Sequence, residues 1–273
     1  MVVEEDKMLG DGAEVFEDGS GVRLKGWRVQ TCNGKGILKA DEIEEFERRL
    51  GSGHLPEMVH GNNSLVCTHE ASGLKLRFDA FHALQGWLDE AAPPLEIAIA
   101  KEWKNSHDLK GVQVVKYDWT YTTRYHGTLD NSEASAAAQW TETTDRIDRA
   151  RLSVQEPILF FDEVVLYESE LDDNGVARMS VKVRVMPSGW YAILRFWLRV
   201  DGTLLRMRDS RFYCPFDSAP EAPPTLLREV CYKEESLMGG AAAKYHGEAM
   251  TNADIAQQLL PTKKEVTERL LAS

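Results

Sequence analysis

Alternation of apolar and polar residues dominates the central part of the chain. From Met179 to Val185 every second residue is apolar, and the residues between are Ser, Lys and Arg. Residues 190–200 alternate in the same way, and Asn174-Gly175 is the kind of pair that closes a tight hairpin. A period of two is typical of strands with one buried face. The pattern therefore predicts a meander of four antiparallel strands at 158–168, 179–185, 190–200 and 204–213.

Shorter patterns predict further strands and a few small helices. Strands are expected at 22–30 with a bulge at Gly26, at 64–70 and 74–78 as a hairpin, and at 96–101, 114–123 and 225–233. Helical spacing predicts helices at 41–50, capped by Asp41, at 80–89, at 254–260 and from 262 onward, whereas 129–138 is expected to be a loop. The chain is therefore predicted to be mainly β (α+β), an antiparallel β-sandwich with short peripheral helices.

Charge distinguishes the first twenty residues from the rest of the chain. The 273 residues carry a net charge of −12, and positions 1–20 hold seven acidic residues against one lysine, which is half of that charge. We therefore expect an acidic mobile tail at 1–20 and a single domain at 21–273. The acidic balance disfavours nucleic acid and anionic membranes as partners, because both attract basic surfaces.

The cysteines and the first residues bear on the compartment. Cys32, Cys67, Cys214 and Cys231 do not form zinc-binding pairs, and the chain begins with acidic residues where a secretory signal would be basic. No apolar run approaches the ~18 residues that a membrane span needs. We expect reduced thiols, no membrane attachment and a cytosolic location, with the nucleus left open as a second compartment.

Signatures of catalysis are missing from the sequence. It contains no G-x-S-x-G, HExxH, P-loop or EF-hand motif, so no catalytic residue, metal ligand or cofactor is predicted. Asp162 and Glu163 are neighbours in a predicted strand, so their side chains would point to opposite faces and not form a carboxylate dyad. We expect one of them to form a structural ion pair with an arginine such as Arg184 or Arg195. A sandwich hydrolase that uses Asp and Glu is the enzymatic alternative.

Three aromatic residues at 117–121 form one candidate binding surface. Tyr117, Trp119 and Tyr121 share a face of a predicted strand. Such a row would suit a carbohydrate-binding or peptide-binding module, and it would equally suit the core of a sheet. Spacing alone does not separate these alternatives.

Arginine and aromatic residues alternate on one face of the strand predicted at 190–200. We call this set the Arg/Trp face, and its members are Tyr191, Arg195, Trp197 and Arg199. Guanidinium groups beside aromatic rings suit an anionic peptide or a C-terminal carboxylate, although a solvated sheet face with cross-strand ion pairs has the same pattern. On the following strand Met207 and Asp209 share a face, and together they would suit contact with a protein partner.

Several longer strings resemble those of one protein family. In chain order they are LPEM at 55–58, KYDWTYTT at 116–123, TTDRID at 143–148, SVKVRVMP at 180–187, RFWLRVDG at 195–202 and RMRDSR at 206–211. In this order they resemble the TIP-forty-one-like family, also called TIPRL, and the resemblance extends over nearly the whole chain from residue 22 onward.

The resemblance implies a non-enzymatic regulator of type 2A-family protein phosphatases. It implies that the chain binds the phosphatase catalytic subunit and inhibits or remodels its complexes. It also implies a role in TOR signalling and a link to the phosphatase-associated alpha-four protein. The family fold is an antiparallel β-sandwich with peripheral helices, and we expect the chain to be a monomer.

The resemblance also implies contact residues for the catalytic subunit. Ile147 in TTDRID, and Met207 and Asp209 in RMRDSR, match contact positions of the family. His82 falls at a further contact position, where family members also carry an acidic residue. The Arg/Trp face is a candidate for binding the acidic C-terminal tail of the catalytic subunit. The acidic segment before residue 21 and the loop at 129–138 have no counterpart in the family pattern.

Overall fold

Two antiparallel sheets account for most of the described structure. A computed structural model describes residues 7–8, 12–34, 36–51, 55–88, 124–130, 138–171, 173–216, 219–237, 245 and 247–271. Within these ranges the helices are few and short. The predicted class, mainly β with antiparallel sheets and small helices, is confirmed. The strands predicted at 96–101 and 114–123, and with them Tyr117, Trp119 and Tyr121, lie outside the described residues.

Seven strands form the first sheet. They are β1 (Lys7–Met8), β2 (Glu14–Val15), β3 (Gly21–Leu24), β4 (Trp27–Cys32), β6 (Ser64–His69), β7 (Lys75–Asp79) and β8 (Thr128–Leu129), numbered in chain order. Their order in the sheet is β1-β2-β3-β4-β6-β7-β8, and every neighbouring pair is antiparallel. The predicted hairpin of 64–70 and 74–78 is confirmed as β6 and β7.

Eight strands form the second sheet, and most of them are long. They are β5 (Met58–Val59), β9 (Gln139–Glu142), β10 (Phe160–Ser169), β11 (Gly175–Met186), β12 (Gly189–Val200), β13 (Leu204–Pro215), β14 (Thr225–Ser236) and β15 (Thr262–Leu271). Their order is β5-β10-β11-β12-β13-β14-β15-β9. The predicted four-strand meander is confirmed as β10 to β13, and the strand predicted at 225–233 is β14.

Five short helices are described. They are α1 (Ala40–Leu50), α2 (Ala80–Leu88), α3 (Arg149–Leu152), α4 (Glu248–Thr251) and α5 (Ala253–Leu259). The predicted cap of α1 at Asp41 is wrong, because the helix begins earlier: the N-cap is Lys39, and its backbone N–H donates to Glu42 Oε2 over 2.8 Å. None of the helices in these ranges is long and apolar enough to cross a membrane.

Three segments differ from the structure that the sequence pattern predicts. Residues 22–30 form two strands and no bulge, because Lys25 and Gly26 adopt φ values of 50° and 78° and close a two-residue hairpin turn. The segment from 262 onward is the strand β15 and not a helix. The spacing of Val266 and Leu270 is four residues, which is even and therefore fits one face of a strand as well as a helix.

The first sheet begins inside the segment expected to be a mobile tail. Glu14 and Val15 pair with Arg23 and Val22 of β3, and β1 pairs with β2 in turn. Ala13 has no exposed surface. Val15 and Phe16 are partly buried, although acidic residues surround this short stretch in the sequence.

One apolar core joins the two sheets in a sandwich-like arrangement. Trp27 of the first sheet meets Trp190 of the second with ring centroids 5.1 Å apart, and Phe78 meets Phe212 at the same separation. Both contacts are edge-to-face, the geometry that aromatic pairs prefer. The even-numbered apolar residues of β12 belong to this core, so its odd-numbered residues point to the opposite, outer face of the second sheet.

Candidate functional site

The outer face of the second sheet brings together six of the residues predicted for the site. Register pairs Arg195 with Asp209 and Trp197 with Met207 across β12 and β13. Directly opposed residues of an antiparallel pair lie on the same face and within side-chain reach. The six residues on this face are Tyr191, Arg195, Trp197, Arg199, Met207 and Asp209.

A buried ion network lies at the centre of the outer face. The Asp209 carboxylate accepts hydrogen bonds from Arg195 Nε over 2.7 Å, from Arg195 Nη2 over 2.9 Å and from Arg211 Nη2 over 3.0 Å. Arg195 also donates to the Asp254 carboxylate of α5. Burial alone would lower the pKa of Arg195, but its two carboxylate partners hold that pKa above the usual value. The network fixes the orientation of both guanidinium groups.

Ile147 reaches the outer face through the segment that precedes α3. Its backbone N–H donates to Glu229 Oε1 over 2.9 Å, and Arg149 Nη2 donates to Glu229 Oε2 over 2.7 Å. Glu229 is buried and lies opposite Arg211 in the register of β13 and β14. Asp148 caps α3 by accepting the N–H of Arg151. Ile147 is therefore tied to the same sheet face as Asp209.

The segment that contains α4 and α5 covers another part of the outer face. We call residues 248–260 the strap. Arg199 Nη1 donates to the Met250 carbonyl over 2.6 Å, and Lys233 Nζ donates to the carbonyl of Gln257. Apolar residues of the strap pack against the sheet in a cluster separate from the main core. This outer cluster consists of Trp197, Leu205, Met207, Leu237, Tyr245, Ala256 and Leu260.

The implied contact residues are covered, which differs from the exposed surface that the sequence suggests. Met207 and Asp209 are each 1% exposed and Ile147 is 4% exposed. Arg195 and Arg199 of the Arg/Trp face are also engaged by the chain's own carboxylate and carbonyl groups. The strand pattern predicts which residues share a face, but it carries no signal that a segment some fifty residues later lies over them.

His82 lies apart from the other implied contact residues. It belongs to α2, which follows β7 of the first sheet, and its Nδ1 is 2.8 Å from Asp79 Oδ2. Hydrogen bonding to Asp79 raises the pKa of His82. Burial opposes ionisation of Asp79, but hydrogen bonds from His82 outweigh it and lower the pKa of that carboxyl group. The described contacts of His82 therefore place it with the first sheet, not on the outer face.

Two grooves cross the outer face, and Lys182 and Ile193 belong to the linings of both. The one beside the strap has a volume of about 590 Å³, and its lining includes Trp197 and the carboxylate of Glu163. The other has a volume of about 460 Å³, and its described lining residues include three basic ones and no acidic one. Its lining consists of Arg149, Leu152, Ser153, Phe161, Lys182, Val183, Arg184, Tyr191 and Ile193. We call it the basic groove.

The basic groove contains residues that sequence reasoning did not single out. The Arg184 guanidinium lies over the Tyr191 ring, 5.4 Å from its centroid. Phe161 is 60% exposed at the edge of the groove. Alignment of the predicted strands across their hairpin turns would have found them. In the observed register Arg184 lies opposite Phe161 on one neighbouring strand and opposite Tyr191 on the other. Tyr191 therefore belongs to a different groove from the rest of the Arg/Trp face.

The neighbouring carboxylates of β10 point to opposite sides of the strand. Asp162 accepts hydrogen bonds from Thr31 and Asn33, whereas Glu163 pairs with Arg178 at 3.3 Å and Lys182 at 3.4 Å. The predicted structural ion pair is therefore present. Its predicted partners, Arg184 and Arg195, are wrong, because Lys182 is the residue directly opposite Glu163.

Potential metal ligands and cysteines lie dispersed in the part of the chain that the structure describes. Within it, no group of three or more His, Cys, Asp or Glu side chains is arranged to hold a metal ion. The four cysteines are free thiols. The outer face presents ordered guanidinium groups, aromatic rings and apolar side chains. Side chains of these kinds are suited to binding another protein or peptide.

Comparison with known proteins identifies relatives over nearly the whole chain. The model of the TIP41-like family matches residues 58–239. A TIP41-like protein from Arabidopsis thaliana is 43% identical over 98% of this chain and 97% of its own length. A TIP41-like protein from Homo sapiens is 38% identical over 90% of this chain and 87% of its own length. The Saccharomyces cerevisiae protein named type 2A phosphatase activator TIP41 is 32% identical over 74% of this chain and 60% of its own length.

Proposed function

The chain belongs to the TIP41-like family, and from this membership we propose that it regulates type 2A protein phosphatases by binding their catalytic subunit, without catalysing a reaction itself. The observation that carries the proposal is its similarity to the Saccharomyces cerevisiae protein, whose name describes a type 2A phosphatase activator. A Schizosaccharomyces pombe protein of the same description is 28% identical over 70% of the chain. The proposal includes action as a cytosolic monomer in TOR signalling, with the alpha-four protein as a further partner.

The outer face of the second sheet is the binding surface in this proposal. Met207 offers an apolar side chain, and Asp209 holds Arg195 and Arg211 in fixed orientations beside it. Ordered charges next to apolar groups give a protein interface its specificity, because a wrong partner leaves a desolvated charge unpaired. Ile147 extends the same surface at the start of α3.

The basic groove is the better candidate for an acidic tail of the catalytic subunit. Arg149, Lys182 and Arg184 line it without an acidic neighbour in the lining, and Phe161 and Tyr191 supply aromatic surface. Arginine beside an aromatic ring recognises a carboxylate and an apolar side chain together. Arg149 and Lys182 also pair with carboxylates of the chain, Glu229 and Glu163, but neither of these is among the described lining residues. The groove beside the strap, by contrast, has Glu163, Glu168 and Asp254 in its lining.

The test of this function is capture of a purified type 2A catalytic subunit by the chain and by its Asp209→Asn variant. Charge reversal at Asp209 would bring three guanidinium groups together in a buried site, so the amide is the more informative change. We expect Asp209→Asn to weaken binding about tenfold or more, as for a residue at the centre of an interface. Circular dichroism and the thermal midpoint establish that the variant is folded.

Glu14→Gln is the matched control for Asp209→Asn. It makes the same acid-to-amide change at a partly exposed carboxylate that pairs with Arg23, and it lies in β2 of the first sheet, away from the outer face. We expect it to bind as the unaltered chain does. Unchanged binding by a folded Asp209→Asn variant would remove the outer face from the proposal, and failure of the unaltered chain and of every variant to capture a catalytic subunit would overturn the proposed function.

The alternative functions have no specific observation in their favour. The carbohydrate-binding alternative rests on Tyr117, Trp119 and Tyr121, which lie outside the described residues. The hydrolase alternative needs two carboxylates that converge on one bond, whereas Asp162 and Glu163 point to opposite sides of β10.

A further inference from the structure

The strap lies over the surface that the proposed function needs. Met207 and Asp209 are each 1% exposed, so a partner does not reach them in the structure as it stands. Ala256 and Leu260 of the strap pack in the outer cluster with Met207, together with Leu237 and Tyr245. Asp209 lies beneath Arg195 and Arg211, and Asp254 of the strap pairs with Arg195. Contact between a partner and the Met207 side chain therefore requires the cover of this cluster, which includes the strap, to move.

The strap is attached to the sheet by a small number of contacts. Its helices span four and seven residues, lengths that are not stable in isolation. The contacts that hold it include the Asn252 cap on α5, the ion pair of Asp254 with Arg195, the Met250 carbonyl on Arg199 and the outer cluster. The outer cluster is separate from the core that joins the sheets. Displacement of the strap would therefore leave the main core packed.

The contacts of the strap define the chemistry of what would replace it. It places a carboxylate on Arg195, a carbonyl oxygen on Arg199 and apolar side chains against Trp197. The Asp254 side chain is 67% exposed, so the Arg195 ion pair lies where another carboxylate can compete for it. A segment with an acidic residue followed by small and apolar residues would make the same contacts.

We propose that the strap is an internal occupant of an interaction surface formed by Arg195, Trp197, Arg199 and Met207, and that an acidic and apolar segment of the phosphatase catalytic subunit displaces it. This inference rests on the proposed function and adds a regulatory step to it. The closed strap lowers the fraction of binding-competent molecules, and the apparent affinity falls by that fraction.

Two substitutions in the strap test the proposal without altering the sheet. Asp254→Asn removes the charge that pairs with Arg195, and Asn252→Ala removes the cap that accepts the N–H groups of Asp254 and Ile255. Asp41→Asn is the matched control, because Asp41 is also an exposed aspartate in the first turn of a helix, α1. The unaltered chain and the three full-length variants are compared by hydrogen–deuterium exchange and by affinity for the catalytic subunit.

The expected result is faster exchange at 250–260 in both strap variants, and binding to the catalytic subunit about three- to tenfold tighter than that of the unaltered chain. Asp41→Asn should change neither quantity. Faster exchange with unchanged or weaker binding would overturn the proposal, since the strap would then not compete with the partner. Unchanged exchange in both variants would overturn it too, because these contacts would not hold the strap.

Failure of this inference is distinguishable from failure of the proposed function. If the unaltered chain binds the catalytic subunit and the strap variants gain nothing, the strap inference alone is wrong. If neither the unaltered chain nor any variant binds, the phosphatase is the wrong partner and both proposals are overturned. Binding that appears only in the strap variants would support both.

Discussion

At the scale of single residues, His82 and Asp79 form a pair whose contribution to stability depends on pH. The Asp79 carboxylate accepts from both the ring and the backbone N–H of His82. The pKa of His82 is raised by that hydrogen bond, so its charged form is favoured in the folded chain. Stability from a raised histidine pKa is fully present below the unfolded value of about 6.5 and is lost as pH rises through the folded pKa.

We therefore expect His82→Asn to cost most at about pH 6 and progressively less toward pH 9. The free energy of unfolding of the unaltered chain should fall relative to that of the variant over this range, because the protonated imidazole that pairs with Asp79 is lost. Urea unfolding at a series of pH values measures the difference. His60→Asn is the control, since no described carboxylate pairs with the His60 ring. A constant difference between His82→Asn and the unaltered chain would contradict the assignment.

His126 shows the opposite behaviour at the same scale. Burial, reinforced by Arg228 and other nearby cations, lowers its pKa to about 3. A lowered histidine pKa means that the unfolded chain binds the proton more readily, so this residue destabilises the fold as pH falls below about 6.5. His126 is present in both the unaltered chain and the His82→Asn variant, so its contribution cancels in the difference between their free energies of unfolding.

At this scale the sequence pattern predicted which residues share a face of the second sheet, but it did not predict that they are buried. The period of two in β12 and β13 places Arg195, Trp197, Met207 and Asp209 on one face, and the structure agrees. Which strand residues lie beneath a cover depends on where a distant segment docks, and residue spacing in the strand does not encode that. His82 was grouped with these residues only by family resemblance, and the fold places it with the first sheet.

At the scale of elements, the hairpin of β3 and β4 depends on a glycine that serves two purposes. Gly26 has a φ of 78°, in the left-handed region that a type I′ turn requires. A Cβ atom at this position would lie 2.6 Å from the Pro220 carbonyl oxygen. Both the backbone angle and the close approach therefore exclude a side chain.

We expect Gly26→Ala to lower the free energy of unfolding by about 3 kcal/mol, the sum of a left-handed alanine and a steric clash with backbone. Gly34→Ala separates the cost of the left-handed backbone from the cost of the steric clash. Gly34 has a similar φ of 81°, but a Cβ atom there would meet nothing within 4 Å, so its cost should be about 1 kcal/mol. Urea unfolding of both variants checks the difference, and equal costs would show that the approach of Pro220 is unimportant.

Elements whose apolar residues follow one clear period were predictable from the sequence. Elements whose apolar spacing fits both a helix and a strand were not. The long strands β10 to β14 follow from alternation and turn residues. β15 was mistaken for a helix because Val266 and Leu270 satisfy both periods, and the choice between them is made by pairing with β14 and β9. Strand pairing is a tertiary interaction that overrides local propensity.

At the scale of the whole molecule, the described part of the acidic N-terminal segment contributes strands to the first sheet. Ala13 is buried, Glu14 pairs with Arg23, and the Arg28 guanidinium lies over the Phe16 ring, 4.9 Å from its centroid. Composition alone suggested a mobile tail, because positions 1–20 hold seven acidic residues against one lysine and show little apolar periodicity. A few well-placed apolar residues next to an existing sheet suffice to extend it.

We expect deletion of residues 1–20 to lower the free energy of unfolding by more than about 1 kcal/mol, since it removes β2 and the side-chain contacts of Glu14. The double substitution Glu17→Gln and Asp18→Asn is the control, because it removes two exposed charges and keeps the strand. It should change stability by less than about 0.5 kcal/mol. Equal stability of the deletion variant and the full chain would contradict this expectation.

The lengths of the outermost strands have a consequence for self-association. Within the described ranges the first sheet ends in β1 and β8, each of two residues, and the second ends in β5 and β9, of two and four residues. A long edge strand presents a row of unpaired backbone N–H and C=O groups to which another chain can add a strand. Edge strands of two to four residues offer few such groups. Strand addition is thus a poor route into either sheet. At these described edges a partner meets side chains rather than long rows of unpaired backbone, which disfavours edge-to-edge aggregation of copies of the chain.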